Sequence, residues 1–98
     1  MARPEKLTME VPVAVGVGRV ENVFRFRDKY LQVHGTFVAT VQLEASIDGS
    51  TYFAVSTALS APGVVPFPET AEFARIRTTA FTSGTPEATL AGFDERAM

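Results

Sequence analysis

The run from Phe37 to Val55, FVATVQLEASIDGSTYFAV, constrains the fold more than any other part of the chain. Phe37, Ala39, Val41, Leu43, Ala45 and Ile47 are apolar, and Thr40, Gln42, Glu44 and Ser46 between them are polar; Val38 breaks the pattern. Side chains of a strand point alternately to opposite faces, so this period of two describes a sheet buried on one side and wet on the other. Asp48-Gly49 follows, a pair suited to the positive φ of a tight type I′ turn or a bulged relative. The return strand then carries Phe53 and Val55 inward. The whole segment is read as a β-hairpin, and it specifies a fold class rather than a chemistry.

The rest of the chain reads in the same way. Residues 1–12 form an extended arm punctuated by Pro4 and Pro12, in which Leu7, Met9 and Val11 alternate with Thr8 and Glu10 as a short edge strand would. Such an arm needs a restraint, and a neighbouring chain in an assembly is the expected one, with packing on its own domain as the alternative. Gly16 and Gly18 mark a bend or bulge. Phe24 and Phe26 are expected inward with Arg25 and Arg27 outward, Asp28-Lys29 as a turn, and Leu31 and Val33 inward against Gln32 and His34. Ser60 to Glu69, with three prolines and a glycine, is expected as a long loop with Phe67 tucked under it. Ala74, Ile76 and Thr78 alternate with Arg75 and Arg77; Ser83-Gly84-Thr85-Pro86 turns the chain into a last strand, Ala88 to Phe93, ahead of a tail from Asp94 to Met98. At most one helical turn fits, at Pro68 to Phe73. Seven or eight short strands with turns every eight to twelve residues predict an all-β antiparallel sandwich of jelly-roll type, a single domain over residues 13–98.

Composition sets limits on partners. With 98 residues, 46% apolar and 20% charged, the chain is one globular domain. Nine basic and eleven acidic residues give a net charge of −2, against the basic face that nucleic-acid binding requires. Arg25, Arg27, Arg75 and Arg77 are read as outward residues on two solvated strand faces. The longest apolar run, Val11 to Val15, is too short to cross a membrane as a helix. MARPEKLTME lacks the apolar core of a signal peptide, so export by that route is not expected. There is no cysteine, hence no disulfide, thiolate ligand or thiol nucleophile.

No constellation of catalytic residues emerges. His34 is the one histidine; no G-x-S-x-G context accompanies it, and one imidazole without cysteine is a poor zinc site. Ser46-x-Asp48-Gly49-Ser50 resembles the start of a calcium loop, but Thr51 and Tyr52 follow where further acidic ligands are needed, so hairpin chemistry is the better account. Glu44 and Asp48 lie four residues apart on one strand, about 13 Å at strand rise, too far for a glycosidase pair. Gly16-Val17-Gly18-Arg19 lacks the third glycine and following helix of a dinucleotide loop. The expectation is a protein that is not an enzyme, with no catalytic, cofactor-binding or metal-binding residues.

A distribution is more telling than these motifs. Between Tyr30 and Pro68 the charged residues are Glu44 and Asp48 alone, and interface centres are depleted of Lys, Glu and Asp. The expected protein-contact residues are Leu7, Met9 and Val11 on the arm, Val38, Thr40 and Gln42 on the long strand, and Val64, Val65 and Phe67 in the proline-rich loop.

The segments YLQVHGTFVATVQLEASIDGSTYFAV and FARIRTTAFTSGTPEATLAGF resemble small β-sandwich structural proteins of tailed bacteriophage virions. The matching pieces are Val33-His34-Gly35-Thr36-Phe37, Leu43 to Gly49, Tyr52, Arg75-Ile76-Arg77 and Ser83-Gly84-Thr85, spread over residues 30–93. The resemblance implies a capsid decoration (cement) protein located in the virion, partnered by the major capsid protein or other virion proteins and by further copies of itself. Head–tail, neck or tail structural proteins are the alternative. The S-x-D-G-x-x-aromatic hairpin also occurs in carbohydrate-binding jelly rolls, where a tryptophan usually stacks on sugar; here the residue is Tyr52, which makes a glycan the lesser expectation.

Overall fold

A computed structural model describes residues 3–94. They form nine strands: β1 (Arg3–Met9), β2 (Gly16–Val17), β3 (Glu21–Asn22), β4 (Phe26–His34), β5 (Phe37–Ser46), β6 (Phe53–Leu59), β7 (Gly63–Phe67), β8 (Phe73–Gly84) and β9 (Glu87–Asp94). Two antiparallel sheets pack face to face. The first has the order β1-β9-β4-β7; the second has β2-β8-β5-β6, with β3 also paired to β8. Taking β2 and β3 as one interrupted strand leaves eight strands in two four-stranded sheets. Most connections cross from one sheet to the other, which is the jelly-roll arrangement expected from the sequence. No helix occurs among the described residues, so the single turn expected at Pro68 to Phe73 is instead an irregular link.

The core lies between the sheets. Met9, Leu31, Val33, Val65, Phe67, Ala88 and Leu90 of the first meet Val41, Leu43, Ala45, Val55, Ala74 and Ile76 of the second. At one end of the sandwich, two glycines of the phage-like pattern explain themselves. Gly35 and Gly84 have φ of 101° and 95°. A Cβ on Gly35 would strike the Thr85 carbonyl, and one on Gly84 would strike the Thr36 carbonyl. The β4–β5 and β8–β9 turns interlock there, with Thr85 N–H donating to the Thr36 carbonyl at 2.9 Å. Only glycine combines that φ with so close an approach.

Several expectations need correction. Residues 3–9 form the short edge strand expected there, but it belongs to the domain rather than to a separate arm: it is the outer strand of the first sheet, in register with β9 from Arg3 opposite Asp94 to Met9 opposite Ala88. The restraint on this segment is therefore its own domain. Residues 1–2 of the arm and 95–98 of the tail lie outside the described residues. Phe24 does not face inward: Phe26 N–H bonds back to the Val23 carbonyl at 3.0 Å, making a turn that buries Val23 and Phe26 and leaves Phe24 exposed. Asp28-Lys29 is not a turn between strands. It is a bulge within β4, where the register with β9 shifts and Asp28 takes φ 54°.

The proline-rich segment is partly a strand. β7 pairs with β4, and Pro66 sits in it because an edge strand has one side that needs no donors. Phe67 is fully buried, as expected. The hairpin turn is longer than a two-residue type I′ turn, running from residue 47 to 52. Ile47 is exposed there and Phe53 partly so, while Ser46 is buried, because the alternation ends where the loop begins.

Candidate interaction surfaces

On the outer face of the second sheet, polar groups find partners within the chain. Glu44 on β5 stands opposite Arg75 on β8, two residues from the Gln42–Arg77 pair on the same face. Arg75 Nε and Arg77 Nε each donate to a different Glu44 oxygen at 2.9 Å. Burial opposes ionisation of Glu44, but the two guanidiniums outweigh it and hold the carboxyl below its usual range. The Arg75 guanidinium lies 3.7 Å from the centre of the Tyr52 ring. Next along the sheet, β6 bulges between its pairings with Val41 and Leu43, and Ser56 takes φ 62°. The Gln42 amide fills the bulge, donating to the Val55 carbonyl at 2.9 Å and the Ser56 carbonyl at 3.3 Å. Ser56 Oγ in turn donates to the Pro66 carbonyl on β7.

The β5–β6 loop is similarly self-contained. Asp48 Oδ1 accepts from Ser46 Oγ at 3.0 Å, Ser50 N–H at 2.8 Å and Thr51 N–H at 2.9 Å. Those donors, with Thr51 and Ser50 foremost, hold the Asp48 carboxyl below its usual range. Its carboxylate serves the loop itself, in keeping with hairpin chemistry rather than a calcium loop. Among the described residues no three or more histidine, cysteine or acidic side chains group as metal ligands do. His34, half-buried at the end of β4, pairs across the sheet with Glu87.

The outer face of the first sheet is different. Lys6, Ala91, Tyr30 and Pro66 form one cross-strand row, Pro4, Phe93 and Arg27 the next, and Thr8, Thr89, Gln32 and Val64 a third. Tyr30 is 54% exposed, Val64 57% and Phe93 41%. A shallow groove of about 390 Å³ runs beside Tyr30 and Phe93, lined by these two with Pro4 and Ala91, with Glu5 and Lys6 on one flank and Asp28 on the other. Under the β4 bulge the neighbouring Lys29 is buried: its Nζ lies 4.5 Å from the Phe67 ring centre and donates to the Glu69 carbonyl at 3.2 Å. Burial pushes its ammonium below the usual lysine range, offset in part by Glu69 and Asp28.

The expected contact residues divide. Val38 and Val64 are exposed. Leu7 and Val11 are half-buried against the core, and Thr40 is half-buried. Met9, Val65 and Phe67 are core residues and cannot meet a partner without opening the sandwich. Gln42 is spent on the bulge. The exposed aromatics of the first sheet were not among the expected residues, yet a signal existed: Tyr30 is out of phase with Leu31 and Val33, and Phe93 with Ala88 and Leu90. Large apolar side chains at solvent-phase positions mark a surface with another use. A second exposed apolar stretch, Val13, Val15, Val17 and Val20, lies along the link from β1 into β2 and on towards β3.

The order and pairing of the strands thus define a jelly-roll β-sandwich with one self-satisfied and one apolar exterior. Its similarity to known proteins is structural: the fold matches the crystal structure of the SPBc2 prophage-derived protein YomS with a TM-score of 0.78, over 96% of each chain and at 11% sequence identity. No protein-family model matches the sequence, and no curated protein matches it.

Proposed function

We propose that the chain is a non-enzymatic structural component of a bacteriophage virion, and within that class a capsid decoration protein. The observation that carries the reading is the end-to-end correspondence with a prophage-derived jelly roll, and it is an argument from fold. The surface is consistent with it. Glu44, Asp48, Ser46 and Gln42 are engaged in holding the fold, whereas the exposed valines of residues 13–20 and the face around Tyr30 offer apolar contact area. A partner that binds only the assembled shell, whether to the major capsid protein or to other virion proteins, stabilises it by its binding free energy, and repetition by symmetry multiplies weak contacts. A glycan-binding role through Tyr52 has less support, because the Arg75 guanidinium already covers one face of that ring.

The test is quantitative mass spectrometry of purified particles from a phage or induced prophage encoding the chain. On the order of hundreds of copies per particle indicates the shell, and roughly six or twelve the neck or tail. Absence from purified particles would overturn the virion reading altogether.

A further inference from the structure

We propose that the outer face of the first sheet is a two-fold interface between two copies of this chain, with the axis running along β9 over Ala91 and Phe93. The strand order makes this geometry available. β9 has β1 on one side and β4 on the other, so a two-fold axis along it lays the β1 of each copy over the β4 of the other. Ala91 is paired with Lys6 on one side and with Tyr30 on the other; Phe93 is paired likewise with Pro4 and Arg27. The operation therefore brings Lys6 of each copy over Tyr30 of its mate and next to the mate's Asp28. An ammonium over a tyrosine face, beside a carboxylate, is favourable on both counts.

The surface is self-complementary in charge and in shape. Lys6 and Asp28 flank the same groove on opposite sides, with Glu5 beside Lys6 and the Arg27 guanidinium 3.4 Å from Asp28; the rotation exchanges the two flanks, so the Lys6 ammonium of each copy meets the Asp28 carboxylate of its mate. Between them the face is apolar, with Pro4, Tyr30, Ala91 and Phe93 in the groove. On the axis itself Ala91 carries little bulk, and Phe93, two residues along β9 on the same face, meets its own copy across the axis. Such an isologous contact repeats each pairing about the axis. On the outer face of the second sheet the Glu44–Arg75–Arg77 cluster stands instead.

The proposal does not depend on the virion reading, and either can fail without the other. The experiment is sedimentation equilibrium on the full chain at micromolar to hundreds of micromolar concentrations, with circular dichroism melts to confirm folding of each variant. The wild type is expected to dimerise. Ala91→Glu, which sets two like charges on the axis, should weaken dimerisation at least tenfold, and Val38→Glu on the opposite exterior should leave it unchanged. Lys6→Glu and Asp28→Lys should each be monomeric alone and form a heterodimer when mixed, because each half of the swapped interface then pairs a cation with an anion. A monomeric wild type over the whole range would overturn the proposal. So would a dimer that survives Ala91→Glu or is lost in Val38→Glu, or a mixture of the two charge variants that stays monomeric.

Discussion

On one exterior of the sandwich Glu44 collects two guanidiniums and Gln42 closes a bulge; on the other Tyr30 and Phe93 stand exposed around a groove and Val64 beyond it. Both exteriors belong to sheets with equally apolar interiors, so the difference does not come from the fold. It comes from whether the polar groups of a face tie neighbouring strands together: Glu44 and Gln42 do, whereas Asp28 pairs with the adjacent Arg27. Where they do, a substitution is felt as lost stability. Where apolar groups are left without cover, a substitution is felt in association instead. That contrast can be tested by comparing residues that are neighbours in sequence but lie on opposite sides of a sheet.

The largest expected effect is on the inner side of β7. Phe67→Ala removes a fully buried ring packed between the sheets and beneath the Lys29 ammonium. Chemical denaturation should show a loss of about 3–5 kcal/mol. Val64→Ala in the same strand, on the outer side, should cost no more than about 0.5 kcal/mol in the isolated chain. Comparable losses for both would mean that β7 is held by something other than its inward side chains.

Glu44→Ala comes next, at about 1–3 kcal/mol, because it leaves Arg75 and Arg77 without their shared acceptor. The same carboxylate gives a pH dependence whose sign is fixed. The folded-state pKa of Glu44 lies below its ordinary value, as does that of Asp48. Each therefore contributes stability that is fully present above the unfolded-state values, about 4.3 and 3.9, and is lost as pH falls through the folded-state values. Denaturation midpoints should be level near neutrality and decline below about pH 4. Glu44→Gln should start lower at pH 7 and decline less steeply. An unchanged acid slope in that variant would remove Glu44 from the account.

The architecture was legible in the sequence because its signal is periodic. The alternation through Val41, Leu43 and Ala45, and through Ala74, Ile76 and Thr78, needed only a burial pattern of two, and the structure buries all six. The errors fall where local geometry breaks that period. The turn at residues 23–25 shifts the phase, so Phe24 points outward; the bulge at Asp28 and Lys29 lets a strand continue where a turn was expected. Proline content argues against a strand at Ser60 to Glu69, yet an edge position tolerates Pro66. The contact residues were less legible. Met9, Val65 and Phe67 are apolar in the sequence like any interface residue, and only the packing assigns them to the core. That Lys6, Tyr30 and Asp28 share one groove depends on β1, β9 and β4 lying side by side, a long-range pairing that no local pattern encodes.

The smallest effect expected on the isolated fold is the sharpest test of the contrast between faces. Tyr30→Thr keeps a good strand former and removes a ring that is more than half exposed, so at low protein concentration its unfolding midpoint should stay within about 0.5 kcal/mol of wild type. If the first sheet's exterior is covered by a second copy, wild-type stability must rise with protein concentration, because association favours the folded state by mass action. Thermal melts at two concentrations a hundredfold apart should then separate for the wild type and converge for Tyr30→Thr. Tyr52→Thr, on the other exterior, should do the reverse. It should lower the midpoint at both concentrations alike, by about 0.5–1 kcal/mol, by removing the ring beneath Arg75. A wild-type midpoint that does not depend on concentration would mean that both faces are finished surfaces and that the exposure of Tyr30 has no partner to explain it.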